Sequence, residues 1–184
     1  MPLEIETTEI AGAVLITPRL FADHRGFFSE IYKKSDYVDA GIDADFKQDN
    51  HSRSSFGVVR GLHYQLKKPQ AKLISVARGE IFDIALDIRQ SSPTFGKWIG
   101  AILSAENRQQ LFIPGGFAHG FIVLSEYADV IYKCDDYYNP GDDYGVLWND
   151  PDLEIDWPEM EAILSEKDAV LPRLRDVPPE KLPE

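Results

Sequence analysis

The chain has 184 residues, 43% of them hydrophobic, and a formal net charge of −12. A chain of this size can bury a core as one domain, and its negative charge disfavours nucleic acid and anionic lipid as partners. The single cysteine, Cys134, excludes an internal disulfide. We find no signal-peptide pattern and no membrane-spanning apolar run, so we expect a cytoplasmic protein.

Short β-type runs separated by Gly, Pro, Asn and Asp dominate the sequence, a pattern typical of antiparallel sandwiches and barrels. Two short helices are predicted: 35–40, capped by Ser35 and stopped by Gly41, and 159–164 after Pro158. No repeat or linker divides the chain, so we predict one domain over 1–184, with a frayed tail at 176–184. The predicted strands are 13–17, 27–33, 46–52, 58–65, 72–78, 80–89, 98–103, 109–113, 119–124, 128–134 and 146–148.

The segment 80–89 alternates in a way that separates two faces of a strand. Phe82 and its alternate neighbours are apolar, whereas Asp83 and Asp87 point to the opposite side. We expect that acidic side to meet solvent rather than to line a barrel, because acids are mostly exposed. Asp83 would gain a role only if His119 lay across from it, since a carboxylate there would fix the tautomer of the imidazole.

Residue types suited to acid/base chemistry lie on neighbouring predicted strands. His63 offers an imidazole that can remove a carbon-bound proton, and Lys72 an ammonium that can hold an enolate oxygen. Tyr132 offers a phenol that can return a proton from the other side. No cofactor motif accompanies them. This combination predicts a substrate that carries its own carbonyl group.

The segments Arg78-Gly79-Glu80 and 114–119 resemble the two half-motifs of the cupin superfamily. That resemblance implies an all-β, double-stranded β-helix, or jelly roll, with a few short peripheral helices. Metal-binding cupins carry a His-x-His pair in the first motif, because a metal needs three or four convergent ligands. Here His63 stands alone at that place, so we predict a site without metal. A metal-dependent cupin oxygenase remains the alternative.

A longer ordered set of motifs runs from about residue 15 to residue 174. The set comprises 23–30 (DHRGFFSE), 48–50 (QDN), 60–63 (RGLH), 70–73 (QAKL), 79–83 (GEIFD), 113–121 (IPGGFAHGF), 132–133 (YK) and 165–168 (SEKD). In this order and spacing the motifs resemble the dTDP-4-dehydrorhamnose 3,5-epimerase family. The resemblance implies cofactor-independent inversion of C3 and C5 of dTDP-4-dehydro-6-deoxy-D-glucose, in dTDP-L-rhamnose synthesis.

Residue roles follow from the same resemblance. It implies that His63 is the base, that Asp168 orients it, that Lys72 supports the enolate and that Tyr132 protonates the opposite face. At position 143 this chain has Asp where the family often has Glu. The positions that match substrate contacts of the family are Arg25, Glu30, Gln48, Asp49, Asn50, Arg60, His119, Asp143 and Lys167.

The apolar run 13–17 has no obvious partner inside a closed jelly roll, and an exposed apolar edge strand invites pairing with another chain. We therefore predict a homodimer. The resemblance implies that strand exchange carries Arg25, Glu30 and 48–50 of one subunit to the nucleotide site of the other. Phe27, Phe28, Phe117 and Phe121 are expected in the core.

Two further alternatives stay open at the level of sequence. Related enzymes that epimerise only C3 or only C5 share much of this motif set. A sugar-nucleotide-binding cupin without catalysis would keep the arginines but would not need His63, Lys72 and Tyr132 together.

Overall fold

A computed structural model describes residues 3–184. None of the helices in this range is long and apolar enough to cross a membrane. The one α-helix of the described chain, α1, spans Lys34–Asp39. The strands are β1 (Leu3–Thr7), β2 (Val14–Pro18), β3 (Leu20–Asp23), β4 (Gly26–Ser29), β5 (Gln48–Ser55), β6 (Val59–Gln65), β7 (Lys72–Arg78), β8 (Glu80–Asp87), β9 (Trp98–Ser104), β10 (Gln110–Ile113), β11 (Phe117–Val123), β12 (Tyr127–Cys134) and β13 (Asp143–Gly145).

Two antiparallel sheets form a jelly roll, which confirms the predicted all-β fold class. The six-stranded sheet has the order β1-β2-β10-β7-β12-β5, and the five-stranded sheet has the order β13-β6-β11-β8-β9. Inward-facing residues of both sheets, such as Ile74 of β7 and Ile81 of β8, share one apolar core. A separate two-stranded hairpin, β3–β4, belongs to neither sheet.

Much of the outer face of the five-stranded sheet is buried, as well as its inner face. Leu86 and its alternate neighbours in β8 pack outward against the C-terminal part of the chain, including Leu174 and Leu182. The other side of β8 faces the interior of the jelly roll, where Asp83 and Asp87 are fully buried. The expectation that the acidic side meets solvent was therefore wrong, because the apolar side is the outer one and the C-terminal segment covers it.

The predicted fraying of 176–184 was also wrong. Val177 and Leu182 are buried against the outer face of the five-stranded sheet. The Tyr64 hydroxyl donates to the carbonyl of Lys181 at 2.9 Å, and the Gln90 amide donates to the carbonyls of Pro179 and Leu182. Proline and charge dominate the composition of this tail, but its few apolar side chains fall at the positions that face the sheet.

Several predicted helices and strands also differ from those of the structure. The segment 159–164 is not helical, because Ile163 forms a parallel bridge with Val58 at the mouth of the jelly roll. The predicted helix at 35–40 exists, but it begins one residue earlier, and Ser35 bonds the Asp36 side chain instead of capping. The run 27–33 is a strand only as far as Ser29, the predicted strand at 146–148 lies at β13 instead, and β1 and β3 were not predicted.

The prediction of an exposed apolar edge strand at 13–17 was wrong. Strand β2 is paired on both sides, by β1 and by β10, and Ile16 is fully buried. The exposed apolar surface lies instead on the β3–β4 hairpin, where Phe27 is 66% and Phe28 64% exposed. The core prediction was thus wrong for these two residues, whereas the buried Phe117 and Phe121 confirm it.

Replacing Leu182 by alanine tests whether the tail is structural. We expect Leu182→Ala to lower the free energy of unfolding by about 2–4 kcal/mol, because it opens a cavity under the tail. Val170→Ala is the control, since Val170 is 79% exposed and should change stability by less than about 0.5 kcal/mol. Urea unfolding measures both. Equal stability of the two variants would mean that the tail is not packed.

Candidate active site

Two adjoining cavities open between the sheets, with volumes of about 380 and 340 Å³. The side chains of His63, Lys72, Tyr132 and Lys167 line both cavities. We call the combined space the cleft. Its volume falls in the range of pockets that enclose small molecules.

The candidate base and acid lie on opposing walls of the cleft. His63 of β6 and His119 of β11 are direct partners in the register of the five-stranded sheet. Lys72 of β7 and Tyr132 of β12 belong to the six-stranded sheet, where Tyr132 pairs with Ile74, two residues beyond Lys72. A molecule in the cleft would therefore have imidazoles on one side and the ammonium and phenol on the other.

A close backbone approach brings the two histidines together. A Cβ atom on Gly61 would lie 2.6 Å from the Cα of Gly120 and 2.6 Å from the carbonyl oxygen of His119. Gly61 also has a φ of +117°, a value that favours glycine. Glycine at 61 thus lets β6 lie against β11 at the point where the register between the strands shifts.

His63 forms a dyad with Asp168. The His63 Nε2 to Asp168 Oδ1 distance is 2.6 Å, with the imidazole 32% exposed and the carboxylate nearly buried. Burial alone would raise the pKa of Asp168, but the hydrogen bond and charge of His63 outweigh it and the pKa is lowered. Asp168 is therefore an ionised acceptor. The neutral form of His63 would carry its proton on Nε2, and Nδ1, which has no hydrogen-bond partner within residues 3–184, can act as a base.

A second dyad lies beside the first. The His119 Nε2 to Asp83 Oδ1 distance is 2.8 Å, and both side chains are buried. Asp83 therefore lies across from His119, which is the arrangement in which we expected it to have a role. Burial lowers the pKa of His119, and this effect exceeds the opposing attraction of Asp83.

The opposite wall supplies a cation and a proton donor. Within residues 3–184, the Lys72 ammonium has neither an ion-pair partner nor a hydrogen-bond partner, and burial lowers its pKa. Burial raises the pKa of Tyr132, so its phenol stays protonated at neutral pH. The Lys72 ammonium is thus available to an incoming anion, and the Tyr132 phenol can donate a proton.

The other end of the cleft is lined by hydrogen-bonding groups. The Gln48 amide donates to Asn50 Oδ1 at 3.0 Å, and the backbone N–H of Tyr138 donates to Gln48 Oε1. Asp143 accepts from Lys167 and from the Tyr138 hydroxyl. Burial alone would raise the pKa of Asp143, but these bonds outweigh it and the pKa is lowered. This end is suited to a polar or anionic part of a ligand.

Most of the residues selected from the sequence line the cleft of a single chain. Gln48 and Asn50 were expected to serve the site of a second chain, but they lie in the cleft of their own chain. Ten of the selected residues line the cleft: His63, Lys72, Tyr132, Asp168, Gln48, Asn50, Arg60, His119, Asp143 and Lys167.

Three selected residues lie away from the cleft. Asp49 points to the outer face of β5 and forms an ion pair with Lys133 at 2.9 Å, because alternate residues of a strand face opposite ways. Arg25 lies in the turn of the β3–β4 hairpin, where it pairs with Asp23. Glu30 follows β4 and is exposed.

Sequence reasoning also missed residues of the cleft. Ser52 lies two residues beyond Asn50 on the inner side of β5, so alternation along the strand could have found it. Tyr138 lies in the irregular segment after β12, where no periodicity points to the cleft. Gln70 lines the same polar end, and its amide donates to the carbonyl of Asp136.

Comparisons with known proteins agree with one another. The model of the dTDP-4-dehydrorhamnose 3,5-epimerase family matches residues 7–176. A dTDP-4-dehydrorhamnose 3,5-epimerase of Pseudomonas aeruginosa is 53% identical over 161 residues, which cover 86% of this chain and 89% of that protein.

Solved structures extend the likeness to the fold. The crystal structure of dTDP-6-deoxy-D-glucose-3,5-epimerase from Legionella pneumophila, in complex with dTDP-4-keto-L-rhamnose, matches with a TM-score of 0.96 at 49% identity, over 99% of this chain and 98% of that one. A 3'-monoepimerase from Streptomyces bikiniensis in complex with dTDP-quinovose matches with a TM-score of 0.87 at 34% identity, over 91% of this chain and 86% of that one. From its sequence and its fold, the chain belongs to the dTDP-4-dehydrorhamnose 3,5-epimerase family.

Proposed function

We propose that this chain inverts C3 and C5 of dTDP-4-dehydro-6-deoxy-D-glucose to give dTDP-4-dehydro-L-rhamnose, without a cofactor, for dTDP-L-rhamnose synthesis. The observation that carries the proposal is the placement of the His63–Asp168 dyad and the Tyr132 phenol on opposite walls of one cleft. We place the reaction in the cytoplasm, in keeping with a soluble nucleotide-sugar substrate.

The substrate supplies the electron sink for this reaction. C3 and C5 both adjoin the C4 ketone, so removal of either proton gives an enolate. A free imidazole faces a carbon acid weaker by more than about ten pK units, a gap of roughly 14 kcal/mol at 1.36 kcal/mol per unit. His63 alone does not close this gap. The Lys72 ammonium next to the enolate oxygen contributes a few kcal/mol, and orientation of the bound sugar supplies much of the rest.

Stereochemistry separates the two proton carriers. Inversion removes a proton from one face of the carbon and delivers another to the opposite face. His63 removes the proton through Nδ1, while Asp168 holds the imidazole and stabilises the imidazolium that forms. Tyr132 delivers a proton from the six-stranded sheet, and solvent restores the protonation state of both groups.

Cations in both cavities of the cleft can hold the diphosphate of the nucleotide. Arg60 donates through Nε to Ser54 and presents the rest of its guanidinium to the cleft, and Lys167 stands beside Asp143. Guanidinium groups suit diphosphate oxygens. Surface charges are screened beyond roughly 10 Å, so these local cations hold an anionic ligand despite the acidity of the whole chain.

We propose that a second chain completes the nucleotide site. Within residues 3–184, β5 is an edge strand with a partner on one side only, and the β3–β4 hairpin stands apart from both sheets. If the hairpin of one chain pairs with β5 of the other, its exposed Phe27 and Phe28 become covered. Arg25 and Glu30 then reach the neighbourhood of Gln48. This assembly is a homodimer by strand exchange, built on the hairpin rather than on 13–17.

Deuterium incorporation tests the assignment of base and acid. In D2O the wild type should incorporate solvent deuterium at both C3 and C5 of the 4-keto sugar nucleotide. His63→Ala should abolish exchange at both carbons, because no enolate forms. Tyr132→Phe should slow inversion but still allow deuterium to enter with retention, because His63 can return a solvent-derived proton to the face it came from. NMR of the sugar, which resolves deuterium at C3 from deuterium at C5, measures incorporation by the wild type and both variants.

Tyr127→Phe is the matched control, since Tyr127 lies on the same strand but outside the cleft. Inversion of both carbons at the wild-type rate by Tyr132→Phe would remove the acid role from Tyr132. Deuterium at one carbon only in the wild type would instead favour an enzyme that epimerises a single centre, as in the Streptomyces relative.

Metal removal tests the absence of a cofactor. Among the described residues, no group of three His, Cys, Asp or Glu side chains is placed to hold a metal ion. We therefore expect full activity after prolonged EDTA treatment and dialysis. Activity that falls and is restored by zinc, iron or manganese would contradict the metal-free reaction and revive the metal-dependent alternative.

Introducing negative charge on the hairpin tests the assembly. The wild type should have the mass of two chains by light scattering, and Phe27→Glu together with Phe28→Glu should give single chains with a raised KM. Phe95→Glu is the control, because Phe95 is exposed outside the hairpin. A wild type that is fully active as a single chain would contradict the dimer.

A further inference from the structure

The His119–Asp83 dyad repeats the geometry of the catalytic dyad. In both pairs a carboxylate oxygen meets Nε2, and the two histidines are register partners on β6 and β11. His119 lines the cleft, and its Nδ1 has no hydrogen-bond partner among residues 3–184. The proposed reaction uses His63 as its base and Tyr132 as its acid. It does not use the buried carboxylate of Asp83.

The surroundings of His119 oppose a positive charge on its ring. Asp83 of β8 is the one acidic group of the described residues in contact with it. The Lys72 ammonium of β7 and the His63 imidazole of β6 both act against a second proton. Phe121 of β11 lies near the ring at 6.4 Å between centroids. Burial and the neighbouring cation thus lower the pKa of His119, which favours the neutral imidazole.

We infer that Asp83 is a positioning residue that fixes His119 as a neutral imidazole with its proton on Nε2, so that Nδ1 accepts a hydrogen bond from a hydroxyl of the bound sugar. This inference rests on the proposed function for the identity of the ligand. On this inference, His119 neither donates a proton to the sugar nor binds the anionic diphosphate.

The second oxygen of Asp83 strengthens the assignment of the tautomer. Asp83 Oδ2 is buried and has no hydrogen-bond partner among the described residues, so the contact with His119 is the hydrogen bond that this carboxylate makes there. A carboxylate only accepts hydrogen bonds, so the contact requires an N–H on Nε2 rather than a lone pair. Asp83 also raises the pKa of Lys72 against the larger lowering effect of burial. Asp83 therefore acts on both walls of the cleft.

Nitrogen NMR of the wild type tests the tautomer without turnover. The protein has four histidines, and His119→Gln identifies the resonances of His119 in a long-range proton–nitrogen spectrum of histidine-labelled protein. We expect a single Nε2–H tautomer that does not take up a second proton between pH 6 and 8. A proton on Nδ1, or an imidazolium at pH 7, would overturn the inference.

A ligand series tests the hydroxyl contact. We compare binding of dTDP-6-deoxy-D-glucose with analogues that lack the 2-hydroxyl or the 3-hydroxyl, in the wild type and in Asp83→Asn. Loss of the hydroxyl that donates a hydrogen bond to His119 Nδ1 should weaken wild-type binding about 5- to 150-fold, because a buried acceptor is left unpaired. In Asp83→Asn, where the amide allows either tautomer, this discrimination should shrink. Equal wild-type affinity for all three ligands would overturn the inference.

Asp87→Asn controls for loss of a buried carboxylate from the same strand. Asp87 is fully buried but bonds Arg89, Ser92 and Thr94 away from the cleft, so this variant should keep the discrimination. If Asp83→Asn does not fold, the wild-type spectrum and ligand series still decide. A correct tautomer in a protein that does not epimerise the 4-keto sugar would refute the proposed function alone.

Discussion

The packing of the C-terminal segment against the outer face of the five-stranded sheet is the interaction on which the rest of the structure depends. Leu174, Val177 and Leu182 cover the outward side chains of β8 and its neighbours. Because this layer supplies apolar burial outside the jelly roll, the inner face of the same strands can carry polar groups at the cleft. The same part of the chain also delivers Asp168 to His63, so the cover and the catalytic dyad form together.

Charge inside the jelly roll is tolerated because each of the two cleft histidines has its own carboxylate. An unpaired buried charge costs several kcal/mol, whereas a hydrogen-bonded pair recovers much of that cost. Asp168 has a lowered pKa in the folded chain. Its contribution to stability is therefore present above the ordinary pKa of an aspartate and is lost as the pH falls through the lowered value. Lys72 is the exception, because within residues 3–184 its half-buried ammonium has no partner, and it is therefore suited to an anionic intermediate.

Local patterns predicted the strands better than they predicted their surroundings. Alternation in 80–89 correctly separated Asp83 from Phe82, but it could not tell which side faces the interior. That depends on Leu182, about a hundred residues later. The segment 159–164 was misread for a similar reason, because Ile163 pairs with Val58 through a long-range backbone contact that no local propensity records.

The site shows the same division between local and long-range information. Residue types alone singled out His63, Lys72 and Tyr132, since an imidazole, an ammonium and a phenol suit enolate chemistry. Spacing could not join His63 to Asp168, which lie 105 residues apart; the family resemblance supplied that pair. The resemblance also supplied Asp49, which the structure turns outward, because a motif gives position along a strand but not which of its residues face the cleft.

The groups that carry out the chemistry lie in a different part of the chain from some of those expected to add ligand affinity. Both dyads, the ammonium and the phenol lie within one chain, whereas Arg25 and Glu30 lie on or next to the hairpin that stands apart from both sheets. In the proposed dimer the partner therefore adds contacts to the nucleotide and none to the reacting carbons. Contacts remote from the reacting atoms act mainly through binding unless they also orient the sugar. Separated chains should thus lose nucleotide affinity first, while bound sugar still meets a complete set of reacting groups.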